Sequence, residues 1–138
     1  GILHGGLIYI VDVLHNQHNT TVTIPKSLEL MKKYQCLHTV VETNAMGSMV
    51  YKQINEGTQH KVMGIFAKAN KQTRIINAEA FITNQMRFVK NPDSHDYQSY
   101  LQKMHRFEYG RSTKPDDAPD ATAGLTTLCL TKFRHIFQ

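Results

Sequence analysis

The chain has 138 residues, of which 41% are hydrophobic and 20% charged, and its formal net charge is +5. This length fits one domain with one core, the composition is that of a globular protein rather than a disordered one, and no apolar stretch reaches the roughly 18 residues that a membrane span needs. The positive charge favours a polyanionic partner. The two cysteines lack a CxxC pattern, which is typical of a reduced cytosolic protein without a zinc motif.

Apolar segments typical of strands alternate along the chain with segments typical of helices. The pattern predicts strands over 7–14, 37–44 and 61–67 and a short edge strand over 87–89. It predicts helices over 25–35, where Pro25 opens the first turn, and over 46–57, 73–86, 95–106 and 117–132. This alternation predicts an α/β domain with some parallel strand pairing. The sequence has no G-x-x-x-x-G-K-[ST] motif, so we expect no P-loop ATP site in this chain.

The segment "DDAPDATAGL", residues 116–125, places three carboxylates at the start of the last predicted helix. Asp117 and Asp120 are three residues apart, which puts them on one helix face with Cβ atoms about 5–6 Å apart, and Asp116 precedes them. A single aspartate here would be an ordinary helix cap. Three like charges this close repel unless a positive charge lies between them. A hard divalent cation such as Mg²⁺ or Mn²⁺ takes oxygen ligands, so the cluster predicts a metal site.

Glu42 is a second carboxylate in a notable position, at the end of the apolar strand "HTVVE". The carboxyl ends of strands in α/β folds are where ligands usually bind. Taken alone, Glu42 is best interpreted as the point where a strand emerges into solvent. Taken with the aspartate cluster, it predicts a shared site for two cations, which would activate water and stabilise the leaving oxygen in phosphodiester cleavage.

Three segments, "VVETNAMG", "NKQTRI" and "DDAPDATAGL", resemble the C-terminal nuclease domain of the large terminase subunit of tailed bacteriophages and prophages. In that family a strand runs into E-x-N, a basic segment follows, and a terminal helix begins with the acidic motif. The resemblance implies a ribonuclease H-like α/β fold, with a mixed sheet flanked by helices. It also implies a metal-dependent endonuclease that cuts concatemeric viral DNA during genome packaging in the cytoplasm of the bacterial host. The implied partners are double-stranded DNA, the portal protein and the small terminase subunit.

The resemblance also assigns roles to individual acidic residues. Glu42 matches the carboxylate of the middle strand, and Asp117 matches the metal-binding aspartate that opens the last helix. Asp120 matches a further aspartate one turn on, seen in resolvase-like members. Asp116 is a substitute for these ligands or a group just outside them. The resemblance therefore implies Mg²⁺ or Mn²⁺ in a two-metal site formed by these side chains.

Basic residues near these carboxylates are expected to contact DNA. Lys and Arg side chains bind backbone phosphates, which adds affinity without reading the sequence. Each of them taken singly is more often a solvated surface cation. The candidates in and around the family's basic segment and before the acidic cluster are Lys68, Lys71, Arg74, Arg111 and Lys114.

The first catalytic aspartate of the family has no clear match. In the family this residue lies in the first strand, and a later apolar strand often ends in "LDV". The segment "LIYIVDV" resembles that later strand, so Asp12 would not be the primary ligand. We expect the first strand and its aspartate to lie upstream of Gly1, which would make residues 1–138 a single nuclease domain that is a fragment of a longer protein. In the alternative, Asp12 itself completes the site.

Two other functions remain open from the sequence. A non-catalytic DNA-binding or assembly module would keep the fold and the basic surface but have an incomplete metal site. A resolvase-like nuclease acting on branched DNA would share the fold and the carboxylates, and structure-selective binding would distinguish it from a terminase.

Overall fold

The computed structural model describes residues 1–44, 47–107 and 117–137. In chain order the described elements are β1 (Ile2–His4), β2 (Leu7–Ile10), α1 (Thr20–Lys33), β3 (Thr39–Glu42), α2 (Gly47–Gly57), β4 (Val62–Ile65), α3 (Lys71–Gln85), β5 (Met86–Phe88), α4 (His95–Arg106) and α5 (Asp117–Lys132), followed by a 3₁₀ turn (Arg134–Ile136). They fall into two compact units. The first unit comprises Gly1–His15 and Ala69–Gln138, and the second comprises Asn16–Lys68.

The first unit contains a three-stranded mixed sheet in the order β1-β2-β5. Strands β1 and β2 are antiparallel and pair Leu3 with Ile8, while β2 and β5 are parallel. Gly5 and Gly6 form the two-residue connection between β1 and β2, with φ angles of 56° and 73°. Both angles are left-handed, as a tight hairpin turn requires, and glycine adopts them without steric cost.

The predicted strand over 7–14 was too long, and β1 was missed. Strand β2 ends at Ile10, so Asp12 lies beyond it rather than inside it. The segment "ILH" before the two glycines is short, but a Gly-Gly pair between two candidate strands is a hairpin signal that the sequence did contain. The short edge strand predicted over 87–89 is confirmed as β5, at one edge of the sheet.

The core of the first unit lies between this sheet and the helices α4 and α5. Its buried members are Ile8, Ile10, Met86, Tyr97, Tyr100, Ala118 and Cys129. A second cluster joins α3 to α5 through Ile75, Ala78 and Ala123, where the small alanines let the two helix backbones approach. The α3–α5 interface therefore fixes the start of α5, where the acidic motif lies.

The hydroxyl of Tyr97 is hydrogen-bonded to backbone groups at the ends of two strands in the first unit. Its hydroxyl donates to the carbonyl of Ile10 and accepts the backbone N–H of Val89, 3.1 Å away. Its side chain is almost fully buried, and burial raises the pKa of Tyr97 above its ordinary value. One phenol thus satisfies the last carbonyl of β2 and the N–H that follows β5, which fixes the carboxyl ends of these two parallel strands just before Asp12.

The second unit is a two-stranded parallel sheet, β3 with β4, packed by α1 and α2. Its buried core is Ile24, Ile54 and Val62. Helix α1 begins at Thr20, so the prediction that Pro25 opens this helix was wrong. Pro25 has no N–H to donate to the carbonyl of Thr21, four residues earlier. Both residues are exposed, so water can donate to that carbonyl in place of the proline. Among the described residues, no helix is both long and apolar enough to cross a bilayer.

Two buried side chains that ionise at high pH, the phenol of Tyr100 and the thiol of Cys129, predict a loss of stability of the first unit at alkaline pH. Burial raises the pKa of Tyr100 to about 12 and that of Cys129 to about 11. The folded state keeps both protonated, whereas the unfolded state ionises them at their lower, ordinary values. Their contribution is therefore present below about pH 9 and is lost as the pH rises to about 12. Each shift of about two units corresponds to at most about 3 kcal/mol.

We expect the urea midpoint to fall between pH 8 and pH 11, and to fall less steeply in Cys129→Ala than in the parent chain. Cys36→Ala is the matched control because this thiol is only half-buried. Equal pH dependence in the parent and in Cys129→Ala would contradict the prediction.

Candidate functional site

The first turns of α3 and α5 lie side by side and carry opposite charges. Lys71 and Arg74 are three residues apart on α3, and Asp117 and Asp120 are three apart on α5. Lys71 pairs with Asp117 and Arg74 with Asp120, each pair separated by 46 residues of sequence. The two helices therefore run in the same direction here. Both N-termini point to the same end, where the positive ends of the helix dipoles favour the carboxylates.

The two cationic side chains contact the carboxylates in different ways. Lys71 Nζ lies 3.0 Å from Asp117 Oδ1 and 3.9 Å from Asp120 Oδ2, so one ammonium serves both aspartates. Arg74 Nη2 donates to Asp120 Oδ2 at 3.0 Å and lies 3.0 Å from Asp120 Oδ1. The positive charge that the aspartate cluster requires is thus supplied by α3.

The two ion pairs differ in how deeply their side chains are buried. The Asp120 side chain is 9% exposed and that of Arg74 is 20% exposed. The side chains of Asp117 and Lys71 are 68% and 45% exposed. A carboxylate as buried as Asp120 must be paired to stay charged, whereas an exposed pair contributes little. Asp120 is therefore a fixed group, and Asp117 is the carboxylate that solvent and ligands can reach.

This arrangement changes the interpretation of the basic segment. Lys71 and Arg74 were predicted to contact DNA phosphates, and the structure shows that both are paired with the carboxylates of α5. Lys68 is exposed in the second unit, after β4. Arg111, Lys114 and Asp116 lie outside the described residues. DNA contact by these cations stays a prediction.

Asp12 lies two residues past the end of β2 and is half-buried. Its Oδ1 accepts the backbone N–H of Val13 at 2.9 Å, and its charge acts on the nearby Tyr97 hydroxyl. It belongs to the same unit as Asp117 and Asp120. Ligands usually bind beyond the carboxyl ends of the strands in α/β sheets, so Asp12 stays a candidate ligand.

Glu42 is the exposed last residue of β3, and the E-x-N motif that follows it has a structural basis. The Asn44 side chain donates to the Ala67 carbonyl and accepts the Ala67 N–H, both at 3.1 Å. These two bonds join the chain after β3 to the chain after β4. Gly47 starts α2 so close to β3 that an added Cβ would lie 1.9 Å from the Glu42 carbonyl oxygen. The motif therefore fixes the backbone that carries Glu42.

His15 is a neighbour of the acidic cluster that the sequence did not single out, because the histidines show no metal-binding spacing. Its backbone N–H donates to Asp96 Oδ2 at 3.0 Å, and its ring lies edge-on to Tyr100, with centroids 6.4 Å apart. Burial and then the charge of Lys103 lower the pKa of His15, although Asp117 and Asp96 act to raise it. The imidazole is therefore neutral at pH 7. The only sequence signal that could have pointed to His15 is its position shortly after the strand β2.

The donor set suits a hard cation in part. Carboxylate oxygens are the ligands that Mg²⁺ and Mn²⁺ prefer, and Asp117 and Asp120 bring two of them to one helix turn. The ammonium of Lys71 already lies near oxygens of both residues, which shows that the pair accepts a cation at this position. Among the residues that the structure describes, no group of three or more His, Cys, Asp or Glu side chains is placed to hold a metal ion.

The family model of the terminase RNaseH-like domain matches residues 2–125. Because the match covers most of the chain, the protein belongs to this family. The predicted family and the predicted α/β, ribonuclease H-like fold are thereby confirmed. No curated protein and no solved structure gives a significant match.

Proposed function

We propose that this domain is a divalent-metal-dependent endonuclease that hydrolyses phosphodiester bonds in double-stranded DNA. By its family, the cut would be made in concatemeric viral DNA during genome packaging, in the host cytoplasm. The observation that carries the proposal is the Asp117–Asp120 pair on the first turn of α5, in a member of the terminase RNaseH-like family. The portal protein and the small terminase subunit are the protein partners that this function implies.

Asp117 and Asp120 are the residues that we assign to the metal, with separate tasks. Asp120 is held rigidly by Arg74 and by burial, so it fixes one ligand oxygen. Asp117 is exposed, so it can share a cation with the phosphate of a bound DNA strand. When bound, Mg²⁺ or Mn²⁺ would polarise the scissile phosphate and lower the pKa of the attacking water.

Further ligands are assigned by family resemblance and position. Glu42 belongs to the second unit and is assigned by its match to the strand carboxylate of the family alone, whereas Asp12 lies two residues past β2 in the unit that carries Asp117. The imidazole of His15, whose pKa burial lowers and whose ring lies edge-on to Tyr100, is a candidate proton acceptor in the unit that carries Asp117.

Plasmid nicking tests the proposal. We expect the chain to nick supercoiled DNA with Mn²⁺ or Mg²⁺ and not with EDTA. Asp117→Ala removes a proposed ligand from an exposed position without disturbing the fold, and should lower the nicking rate by at least about 100-fold. Glu42→Ala and Asp12→Ala in the same assay test the two further ligands.

Asp93→Ala is the matched control, because Asp93 is an exposed aspartate in the turn before α4. It should nick at the parent rate. Metal-dependent nicking that survives Asp117→Ala would refute the assigned site. DNA retention without nicking by the parent chain, at any metal concentration, would instead support the non-catalytic binding module.

A further inference from the structure

Lys71 occupies a position that a divalent ion on the same carboxylates would need. Its Nζ lies 3.0 Å from Asp117 Oδ1 and 3.9 Å from Asp120 Oδ2. Mg²⁺ binds oxygens at about 2.0–2.1 Å, so an ion sharing these two oxygens would be forced against the ammonium. Two like charges this close repel strongly. The ammonium and the metal ion therefore exclude each other.

Lys71 and Arg74 differ in how readily their side chains can move away from the carboxylates of α5. The side chains of Lys71 and Asp117 are 45% and 68% exposed, and a pair this accessible to water contributes only about 0–1 kcal/mol. Lys71 also has a flexible four-carbon stem that reaches into solvent. The Arg74 guanidinium is 20% exposed and its partner Asp120 is 9% exposed. Moving Arg74 away would leave a buried, uncompensated charge.

The position of Lys71 in α3 also favours its displacement from the carboxylates by a metal ion. It is the first residue of the helix, after the Asn70 cap. A cation in the first turn is disfavoured by the helix dipole. The carboxylates of α5 are what make this place favourable for the ammonium, and a metal ion that engages them removes that advantage.

We infer that Lys71 is an exchangeable cation, which neutralises the Asp117–Asp120 pair until a divalent ion displaces it, while Arg74 stays on Asp120 as a positioning residue. The inference rests on the proposed metal site. It deepens that function because the displaced ammonium becomes available to a DNA phosphate when the metal is loaded. Metal loading and the basic character of the site are thereby coupled, which reconciles the ion pairs with the phosphate contact predicted for Lys71.

Two measurements on the intact chain test the exchange. In the first, Mg²⁺ binding is measured by calorimetry for the parent, Lys71→Met and Lys132→Met. Lys132 lies in the last turn of α5, at the opposite end of that helix. We expect Lys71→Met to bind Mg²⁺ about twofold to fivefold more tightly, since the competing pair is worth up to about 1 kcal/mol. Lys132→Met should match the parent.

In the second measurement, the parent chain is labelled with a limiting amount of an amine-acylating reagent, with and without saturating Mg²⁺. We expect Mg²⁺ to increase labelling of Lys71 relative to Lys132, because an ammonium held by two carboxylates is protected. Unchanged labelling of Lys71 at Mg²⁺ saturation, or unchanged affinity in Lys71→Met, would overturn the exchange alone. Absence of Mg²⁺ binding by the parent would overturn both the exchange and the proposed metal site.

Discussion

Arg74→Met should lower the free energy of unfolding by about 3–5 kcal/mol, the cost of removing one partner of a buried ion pair. Arg74 Nη2 lies 3.0 Å from both carboxylate oxygens of Asp120, whose side chain is only 9% exposed. Without the guanidinium, Asp120 keeps only the more distant ammonium of Lys71, 3.9 Å away, so its buried carboxylate either stays poorly compensated or takes up a proton. Either response destabilises the α3–α5 interface. Urea unfolding followed by circular dichroism measures the effect.

Lys71→Met is the matched control for this prediction. It removes a cation from the same aspartates, but from an exposed position, so it should cost less than about 1 kcal/mol. Asp120→Asn in the Arg74→Met background should recover part of the loss, because the amide carries no charge to compensate. If Arg74→Met were as stable as Lys71→Met, the account of Asp120 as a fixed, buried carboxylate would be wrong.

Gly47→Ala should destabilise the second unit by about 3 kcal/mol, at the upper end of the range for overpacking. A Cβ at this position would lie 1.9 Å from the Glu42 carbonyl oxygen and 2.9 Å from its carbon. These are backbone atoms, so no side-chain rotation relieves the clash. Either α2 must start elsewhere or β3 must end differently. The second change moves Glu42 and the first alters the backbone that follows it, so we expect nicking to fall together with stability.

Gly124→Ala makes the same chemical change in the middle of α5, where an added Cβ meets nothing within 4 Å. There the methyl should stabilise the helix by about 0.5–1 kcal/mol, because alanine loses less backbone entropy than glycine. Thermal unfolding of the two variants beside the parent measures both effects. A Gly47→Ala variant that unfolds at the parent temperature would contradict the close approach of α2 to β3.

Local patterns predicted most of the helices and the nature of the acidic motif. The helices over 95–106 and 117–132 were predicted with the bounds that the structure shows, because Ser94 and the acidic first turn of α5 are strong start signals. The start of α1 was placed five residues late, since Pro25 was given more weight than the polar residues before it. Exposure of Pro25 makes its missing hydrogen bond tolerable inside the helix.

The partners of the acidic motif could not be predicted in the same way. The sequence shows that Lys71 and Arg74 are basic, but not that a contact across 46 residues places them on Asp117 and Asp120. Charge alone predicted a DNA phosphate as their partner, a contact that stays a prediction, and it could not show that the packing of α3 against α5 brings both side chains to the carboxylates. His15 was missed for the same reason, because its closeness to Asp96 and Tyr100 depends on the fold.

The central claim is that Asp117 and Asp120 bind a divalent metal ion, and Mn²⁺ binding tests it most directly. The free Mn²⁺ signal in electron paramagnetic resonance falls as the ion binds, so affinity can be read without DNA or turnover. The account predicts that the parent chain and Asp93→Asn bind Mn²⁺ equally, and that Asp117→Asn binds it at least about tenfold more weakly. Equal Mn²⁺ binding by Asp117→Asn and the parent would contradict the claim and leave the acidic motif as a helix start held by Lys71 and Arg74.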